Sequence, residues 1–466
     1  MKVASSEYLR AAKPFLKELV AELNKRAPYA SVLGQDCVGK TFRVSRSGMS
    51  ASESPMFTSH GFTVRIWDGG FAEYSFNALP EGSAADFADQ IIAAVPVPKT
   101  TDKMPEDEPL TMCESTEFEI DPEEMGGEKI LEKLTAVHEF GMAQSEKLID
   151  CAAGCNFQRA HKLFLSKNRD LEQNTLWMTA SVSAIAARGE EVKSNGKSFS
   201  HRGGAELLDQ MKGGVPSVVQ SVLDLLESEP ITPGEYECIC APEVTGMIVH
   251  EAFGHGVEMD MFVKKRALAE EYIGKYVASP LVTMRDGAAS AVQTASFFFD
   301  DEGTLAQDTV VIDKGVLVSG ICDGVSAGRL NFHATGNGRR ESYKRRAYTR
   351  MTNTFFEGGE YTPEEMIASV KDGFLLESPS SGMEDPKNWG IQCMVRIARE
   401  IKDGKLTGKV FSPIVLTGYV PDLLGSISMM SKNIELSGSG FCGKGYKEWV
   451  NVSDGGPYIK AKIRLG

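Results

Sequence analysis

The chain has 466 residues, of which 42% are hydrophobic and 24% charged, as is typical of a globular protein, and its length indicates two domains. The net charge of −14 argues against nonspecific binding to nucleic acid or to an acidic membrane as its main function. No apolar run approaches the ~18–20 residues that span a bilayer, and nine scattered cysteines indicate reduced thiols, so we expect a cytoplasmic protein.

The first ~95 residues are predicted to form a helix, two strands, a hairpin and a second helix. The two strands are expected at 29–37 and 40–48. The stretch 61–76 alternates on both sides of Asp68-Gly69-Gly70, which predicts a hairpin. Residues 83–95 combine helical periodicity with a serine N-cap.

Two proline-containing segments interrupt the chain. Residues 96–112 contain four prolines and indicate an exposed connector. The second segment, 228–237, is where we place the domain boundary, which gives an N-terminal mixed α/β domain over 1–228 and a C-terminal domain over 229–466. Between the two segments we predict a helix at about 122–150, strands at 160–168, 174–188 and 192–201, and a helix at 204–227.

The C-terminal domain is predicted to be rich in β-structure. Short β-rich runs broken by glycines occupy about 280–350 and 390–466, with one helix at 363–371 between them. A short strand at 236–240 leads into a helix that starts near Pro242 and runs through the two histidines considered next. The predicted fold class is therefore α+β, with a mostly antiparallel sheet around one key helix, the one that carries the two histidines.

The stretch VHEAFGHGVEMD (249–260) contains His250-Glu251 and His255, an H-E-x-x-x-H pattern. In a regular α-helix, five residues separate two side chains by roughly 140°, so the rings would point apart. A π-type turn, or a helix that ends near Gly254, brings both histidines onto one face. Gly254 and Gly256 permit such a distortion. We favour a metal site over two buried core histidines, because chance gives this pattern about once in a hundred chains with seven histidines.

The pattern does not determine which residue is the third metal ligand. A catalytic zinc requires about three protein ligands and one position for water. Glu258 lies three residues after His255 on roughly the same face, and Asp260 follows it. Cys442 lies among glycines far along the chain, and a thiolate is a good zinc ligand. A lone cysteine is more often an inert buried thiol, so chemistry alone does not choose between Cys442 and Glu258.

Three blocks of the C-terminal domain resemble the TldD half of the TldD/TldE (PmbA) metalloprotease family: PEVTGMIVHEAFGHGVEMD, GNGRRESYKRRAYTRMTNTFFEGGE and GSGFCGKG. The N-terminal GFTVRIWDGGFAEYSFNAL is also similar. The resemblance implies that His250, His255 and Cys442 hold one Zn2+ per catalytic subunit and that Glu251 is the base. No further cofactor is expected.

The resemblance also implies a function and partners. We expect a zinc-dependent metallopeptidase that hydrolyses unfolded or extended peptides with a zinc-bound water activated by Glu251. We expect a dimer, either with a TldE/PmbA-type paralogue or of two identical chains, and neither a membrane nor a nucleic acid as partner. The alternative is a non-catalytic zinc-containing regulatory protein, similar to a gyrase modulator, in which a fourth protein ligand closes the zinc site.

The segment 339–350 holds six Arg or Lys residues after a tight turn at Gly336-Asn337-Gly338. It could bind nucleic acid, the carboxylates or backbone of a peptide, or an acidic subunit interface, and the acidic chain favours the last two. Asn337, Arg339 and Arg340 are therefore candidates for substrate contact. Glu258 and Asp260 either orient a ligand histidine or lie at a solvated helix end. The tail after Gly445 departs from the family pattern, which leaves specificity and partner choice open.

Overall fold

The computed structural model describes residues 1–100, 102–446 and 448–466. In the N-terminal half the helices are α1 (Glu7–Leu23), α2 (Ala84–Ala94), α3 (Pro122–Met142) and α4 (Met211–Leu226), the last preceded by a 3₁₀-helix at Ala205–Gln210. The strands of this half are β1 (Tyr29–Ser45), β2 (Gly48–Glu53), β3 (Ser59–Trp67), β4 (Phe71–Phe76), β5 (Leu110–Ser115), β6 (Leu148–Leu165), β7 (Arg169–Arg188) and β8 (Glu191–His201).

These strands form one sheet in the order β4-β3-β1-β6-β7-β5, with β2 paired to β1 and β8 paired to β7. Neighbouring strands are antiparallel except for β5 and β7. Helices α1 and α2 bury their apolar residues against one end of the sheet, and α3 and α4 bury theirs against the other. Each Leu or Val side chain buried in this way stabilises the fold by about 1.5–3 kcal/mol.

Several sequence predictions for this half are confirmed, and two are wrong. The hairpin turns at Asp68–Gly70, and Ser83 caps α2 by accepting a hydrogen bond from the backbone N–H of Asp86. The strands predicted at 29–37 and 40–48 are the single strand β1 followed by a hairpin into β2. Gly39 does not break β1 but permits close packing, since a Cβ there would lie 2.1 Å from Phe57 Cβ.

The second wrong prediction concerns the helix at 122–150. Helix α3 ends at Met142, and the long strand β6 begins at Leu148 because it pairs with both β1 and β7 over most of its length. The predicted connector 96–112 runs without helix or strand until β5 begins at Leu110, apart from Thr101, which lies outside the described residues.

The C-terminal half has the helices α5 (Pro242–Met247), α6 (Met259–Val263), α7 (Gly324–Leu330), α8 (Pro363–Ala368) and α9 (Val420–Gly425). A π-helix at Ile248–Gly254 and a 3₁₀-helix at His255–Val257 lie between α5 and α6, and a further 3₁₀-helix lies at Leu268–Tyr272. The strands are β9 (Gly234–Cys240), β10 (Met284–Asp286), β11 (Thr309–Asp313), β12 (Val316–Leu317), β13 (Gly338–Arg339), β14 (Tyr348–Thr349), β15 (Asn353–Phe356), β16 (Asp372–Asp385), β17 (Gly390–Lys402), β18 (Lys405–Phe411), β19 (Ile414–Tyr419), β20 (Met429–Met430), β21 (Glu435–Lys444), β22 (Glu448–Gly456) and β23 (Ile459–Leu465).

Two sheets surround the π-helix. One has the order β12-β11-β10-β15-β22-β21. In the other, β16, β9, β23, β19 and β17 follow one another, and the pairing of β16 with β17 closes them into a ring. The predicted mostly antiparallel, β-rich architecture is confirmed, with parallel pairing between β15 and β22 and between β16 and β9. The boundary between 1–228 and 229–466 as independent domains stays a prediction.

The region 280–350 contains fewer strands than its sequence predicts. Between β10 and β11, loops replace strands because side chains bind the backbone groups that a sheet would use. Asp300, for example, accepts hydrogen bonds from the backbone N–H groups of Glu302, Thr304 and Gly338. Within the described residues, no helix is both long and apolar enough to cross a membrane.

Glu73 on β4 joins the N-terminal sheet to the C-terminal half. Its carboxylate accepts hydrogen bonds from Arg65 on β3, with N···O distances of 2.8 and 2.9 Å, and from Arg340 at 2.9 Å. Burial alone would raise the pKa of Glu73, but the two guanidinium groups outweigh this effect and lower the pKa to about 2. The ionised carboxylate therefore stabilises the folded state.

Replacing Glu73 by Gln is expected to lower the free energy of unfolding at pH 7 by roughly 3 kcal/mol, because each unit between the pKa of about 2 and the ordinary 4.5 corresponds to about 1.4 kcal/mol. The folded-state pKa is depressed, so this contribution is complete above pH 4.5 and is lost as the pH falls towards 2. Urea unfolding of both proteins at pH 7 and pH 3.5 measures the difference. Asp372→Asn, which removes an exposed ion pair with Lys402, is the control and should have little effect. An equal difference at both pH values would contradict the prediction.

Candidate metal centre

The helix that carries the H-E-x-x-x-H pattern widens where the spacing of its histidines requires it. It is an α-helix up to Met247 and a π-helix over Ile248–Gly254, and the N–H of His255 donates to the carbonyl of His250, five residues earlier. This confirms the predicted distortion near Gly254. Gly254 itself has ordinary helical angles, φ −58° and ψ −48°. Glycine is required there for close packing, since a Cβ at this position would lie 2.2 Å from Met351 Sδ.

The widened turn brings the two histidines together. The ring centroids of His250 and His255 are 5.0 Å apart, with their planes nearly perpendicular. Cys442 lies on β21, 187 residues after His255 in the sequence, and its Sγ is 3.6 Å from His255 Nε2. One ligand atom from each of the three residues lies within 4.8 Å of the other two. His250 and Cys442 are buried, and His255 is half-buried.

These three side chains fit a zinc ion. Two imidazoles and a thiol are donors that zinc prefers, and tetrahedral bond lengths of about 2.0–2.3 Å place neighbouring ligand atoms about 3.3–3.6 Å apart. The observed distance between Cys442 Sγ and His255 Nε2 agrees with this separation. Burial alone would raise the pKa of Cys442, but the two imidazoles lower it to about 4, so the sulfur is held as a thiolate, the form that binds metals.

Glu251 lies beside this cluster and packs against strand β16. A Cβ at Gly382 would lie 2.4 Å from Glu251 Cγ, so a residue without a side chain is required at that point of the strand. Burial raises the pKa of Glu251, although the imidazoles of His250 and His255 oppose the shift. The carboxyl group thus follows His250 directly but lies outside the set of converging donor atoms.

Glu258 and Cys442, the two alternatives for the third ligand, contact different nitrogens of His255. Cys442 is at Nε2, whereas Glu258 Oε2 is 3.2 Å from Nδ1. Glu258 is thus in the position of a residue that orients a ligand histidine. Asp260 does not contact either histidine through a hydrogen bond in the described structure and instead accepts from Lys444 and Lys264.

Three further residues near the centre were not predicted from the sequence. Lys444 donates to Glu258 and Asp260, and Asp454 Oδ2 is 3.9 Å from His250 Nδ1. Burial raises the pKa of Asp454 to about 6, against the opposing effect of His250. Glu384 has both carboxyl oxygens buried without a partner in the described chain. Lys444 follows Cys442 by two positions in a strand, so its side chain shares the face of Cys442. No local signal in the sequence indicates the other two.

Asn337, Arg339 and Arg340 form hydrogen bonds inside the protein. Asn337 is fully buried and donates to Asp286 Oδ1 and to the carbonyl of Arg350. Arg339 donates to the carbonyl of Met351 and to the Asn451 carbonyl and side chain, and Arg340 binds Glu73. Lys344, Arg345 and Arg346 are the exposed part of the basic segment. Substrate contact by Asn337, Arg339 or Arg340 stays a prediction.

Comparison with known proteins identifies relatives of this fold and site. Residues 233–463 match the family described as the PmbA/TldA metallopeptidase C-terminal domain. A metalloprotease of Methanocaldococcus jannaschii is 33% identical over 51% of this chain and 52% of its own length. A zinc metalloprotease TldD homolog of Saccharolobus solfataricus is 30% identical over 56% and 54% of the two chains. The chain thus spans about half the length of the curated relatives that it matches.

Solved structures show the same fold over nearly the whole chain. A Thermotoga maritima protein described as a candidate modulator of a DNA gyrase covers 97% of this chain and 100% of its own, with a TM-score of 0.79 and 15% identity. TldE from Thermococcus kodakarensis covers 96% of this chain and 99% of its own, with a TM-score of 0.75 and 17% identity. The solved structures show the shared fold alone, whereas the sequence match over residues 233–463 and the relatives described as TldD homologs place this C-terminal half of the chain in the TldD/PmbA metallopeptidase family.

Proposed function

We propose that the protein is a zinc-dependent metallopeptidase of the TldD type that hydrolyses peptide bonds in unfolded or extended peptides. The observation that carries this proposal is the convergence of His250, His255 and Cys442, with ligand atoms within 4.8 Å of one another, next to Glu251. Three ligands leave one position of a tetrahedral zinc open, as a catalytic site requires. The relatives from M. jannaschii and S. solfataricus, described as metalloproteases, support the same activity.

Glu251 has the role of general base and acid in this proposal. The two histidines and the cysteine would hold a zinc ion, which when bound would supply Lewis acidity towards the scissile carbonyl and the attacking water. Glu251 takes the proton from the attacking water and passes it to the leaving amine. Its position directly after His250 keeps the carboxylate near the reacting atoms without making it a ligand. Close packing on Gly382 limits the orientations open to the side chain.

The strand next to Glu251 supports an extended peptide as the substrate. Beyond Leu376, strand β16 pairs with β17 alone in the described chain, so its other edge, past the N–H of Ser378 that donates to Glu243, is open to a further strand. This part of β16 includes Gly382, which contacts Glu251. A peptide added to the edge as a further strand would be bound mainly through its backbone, with little selection among side chains.

A dimer is the assembly we propose, formed with a TldE/PmbA-type paralogue or by two copies of this chain. The common fold with TldE from T. kodakarensis supports a paralogue of the same shape as partner. The mass of the purified chain, alone and mixed with such a paralogue, distinguishes the two assemblies. The cytoplasmic location likewise stays a prediction.

A regulatory protein without catalytic activity is the alternative. A purely structural zinc is normally held by four protein ligands, whereas the cluster in the described residues has three. The T. maritima protein described as a candidate gyrase modulator has only 15% identity, so the likeness concerns the fold alone. The open three-residue cluster with a glutamate beside it favours the peptidase.

Replacing Glu251 by Gln is expected to leave the zinc content unchanged and to slow cleavage of an unstructured peptide about 10²–10⁴-fold, because the variant lacks the proton acceptor. Metal analysis and a peptide assay with and without chelator measure both quantities. Glu139→Gln is a matched control, since Glu139 follows His138 on α3 and is exposed, and it should change neither. Cleavage by the Glu251 variant at the normal rate would show that Glu251 is not the base.

The proposed substrate class is tested with the unchanged protein. If it cleaved folded globular proteins as fast as unstructured peptides, unfolded or extended peptides would be excluded as the specific substrate class.

Replacing Gly254 by Ala is expected to weaken zinc binding roughly tenfold or more. The new Cβ would lie 2.2 Å from Met351 Sδ and 3.1 Å from the carbonyl of Val249, so the π-helix must shift and move His255 away from Cys442. Competition with a chromogenic chelator measures the affinity. Gly213→Ala on α4 is the control, because a Cβ there meets nothing within 4 Å and zinc affinity should not change. Equal affinities in the two variants would contradict the prediction.

A further inference from the structure

One strand holds His255 at both of its ring nitrogens. Cys442 and Lys444 are two positions apart on β21, so their side chains lie on the same face of the strand. Cys442 Sγ is 3.6 Å from His255 Nε2. Lys444 Nζ is 3.0 Å from Glu258 Oε2, the same oxygen that lies 3.2 Å from His255 Nδ1. Strand β21 thus contacts one nitrogen directly and the other through Glu258.

All three N–H groups of the Lys444 ammonium donate hydrogen bonds. It donates to Glu258 Oε2, to Asp260 Oδ1 at 2.7 Å and to the carbonyl of Thr349 at 2.9 Å, which accounts for all three of its N–H bonds. Its side chain is 13% exposed and that of Glu258 only 3%. Lys444 is therefore the ion-pair partner of a deeply buried carboxylate, and its loss would leave that carboxylate without this contact.

The hydrogen bond from Lys444 fixes where Glu258 Oε2 lies relative to His255. The oxygen that accepts from Lys444 Nζ is the one that lies 3.2 Å from His255 Nδ1. A carboxylate in that place orients the imidazole ring and leaves Nε2 directed at Cys442 Sγ. Without Lys444, Glu258 loses the contact that holds it in place, so the ring of His255 is held less firmly.

We propose that Lys444 is a positioning residue of the metal centre, which keeps Glu258 as the acceptor for His255 Nδ1 and thereby presents Nε2 to the metal. This inference rests on the proposed zinc site but does not require peptide cleavage. It also distinguishes the two ammonium groups near Asp260. Lys444 contacts both Asp260 and Glu258, whereas Lys264, among these two carboxylates of the described chain, contacts Asp260 alone, at 2.8 Å from Oδ2.

The test compares three single variants and one double variant. Lys444→Met removes the ammonium but keeps a side chain of similar length, and Lys264→Met is the matched control. Glu258→Gln removes the carboxylate that pairs with Lys444. It tests the same contact from the other side if Lys444→Met does not fold. The double variant, Lys444→Met with Glu258→Gln, shows whether the lysine acts through the glutamate.

Zinc affinity is measured by competition with a chromogenic chelator, and the cobalt-substituted proteins are compared by their visible spectra. We expect Lys444→Met and Glu258→Gln each to bind zinc about 10–100-fold more weakly and to change the cobalt ligand-field bands, with Lys264→Met unchanged. The double variant should bind no more weakly than the weaker single variant. A normal affinity and spectrum for Lys444→Met, or fully multiplicative effects in the double variant, would overturn the proposal.

These measurements separate the inference from the proposed peptidase activity. Weak zinc binding by Lys444→Met in a protein whose wild type cleaves no peptide would support the positioning role and reject the peptidase. Active wild type together with normal metal binding by Lys444→Met would reject the positioning role alone. A wild type that binds neither zinc nor cobalt would reject both.

Discussion

The five-residue spacing between His250 and His255 is the constraint on which the metal centre depends. A regular α-helix would point the two rings apart, and the π-helix removes this divergence by adding one residue to the turn. Its hydrogen-bond geometry is poorer than that of an α-helix, so surrounding structure must hold it. Ile248, Val249 and Phe253 are completely buried, and Gly254 packs directly on Met351. The C-terminal core therefore stabilises the unusual turn.

The second requirement is that Cys442 arrives at this turn from a distant strand. Arg350 is almost completely buried and donates to the carbonyl of Cys442 and, at 3.1 Å, to that of Glu448, so one guanidinium bridges β21 and β22. Arg339 binds Asn451 on β22 in a similar way. A planar guanidinium suits such bridging because its donors point in fixed directions. Two of the six basic residues of the segment 339–350 thus hold the hairpin that presents the cysteine.

What the sequence predicts well is local. The turn at Asp68–Gly70, the cap at Ser83 and the distortion near Gly254 depend on residues a few positions apart, and spacing rules describe them. Features that depend on distant pairing were missed, such as the single long strand β1. Chemistry alone left Cys442 and Glu258 as alternatives, and the resemblance to the family favoured Cys442. Only three-dimensional contacts show that they lie at different nitrogens of His255 and that Lys444 connects them.

Buried polar groups without a partner lie on both walls of the centre. On the wall of β21 and α6, Glu258 Oε2 has two donors and Lys444 has three acceptors, but Glu258 Oε1 is buried without a partner in the described chain. On the wall of β16 and β17, both carboxyl oxygens of Glu384 and the indole N–H of Trp389 are buried without a partner in the described chain. Each buried polar group without a partner lowers the free energy of unfolding by about 1–3 kcal/mol, so folding stability does not explain why these groups are present. The wall of β16 and β17 also carries Gly382 and the edge of β16 where the proposed peptide would bind. The buried polar groups without partners on this wall therefore lie next to the place proposed for the substrate, whereas Glu258 lies on the wall that holds His255 and Cys442.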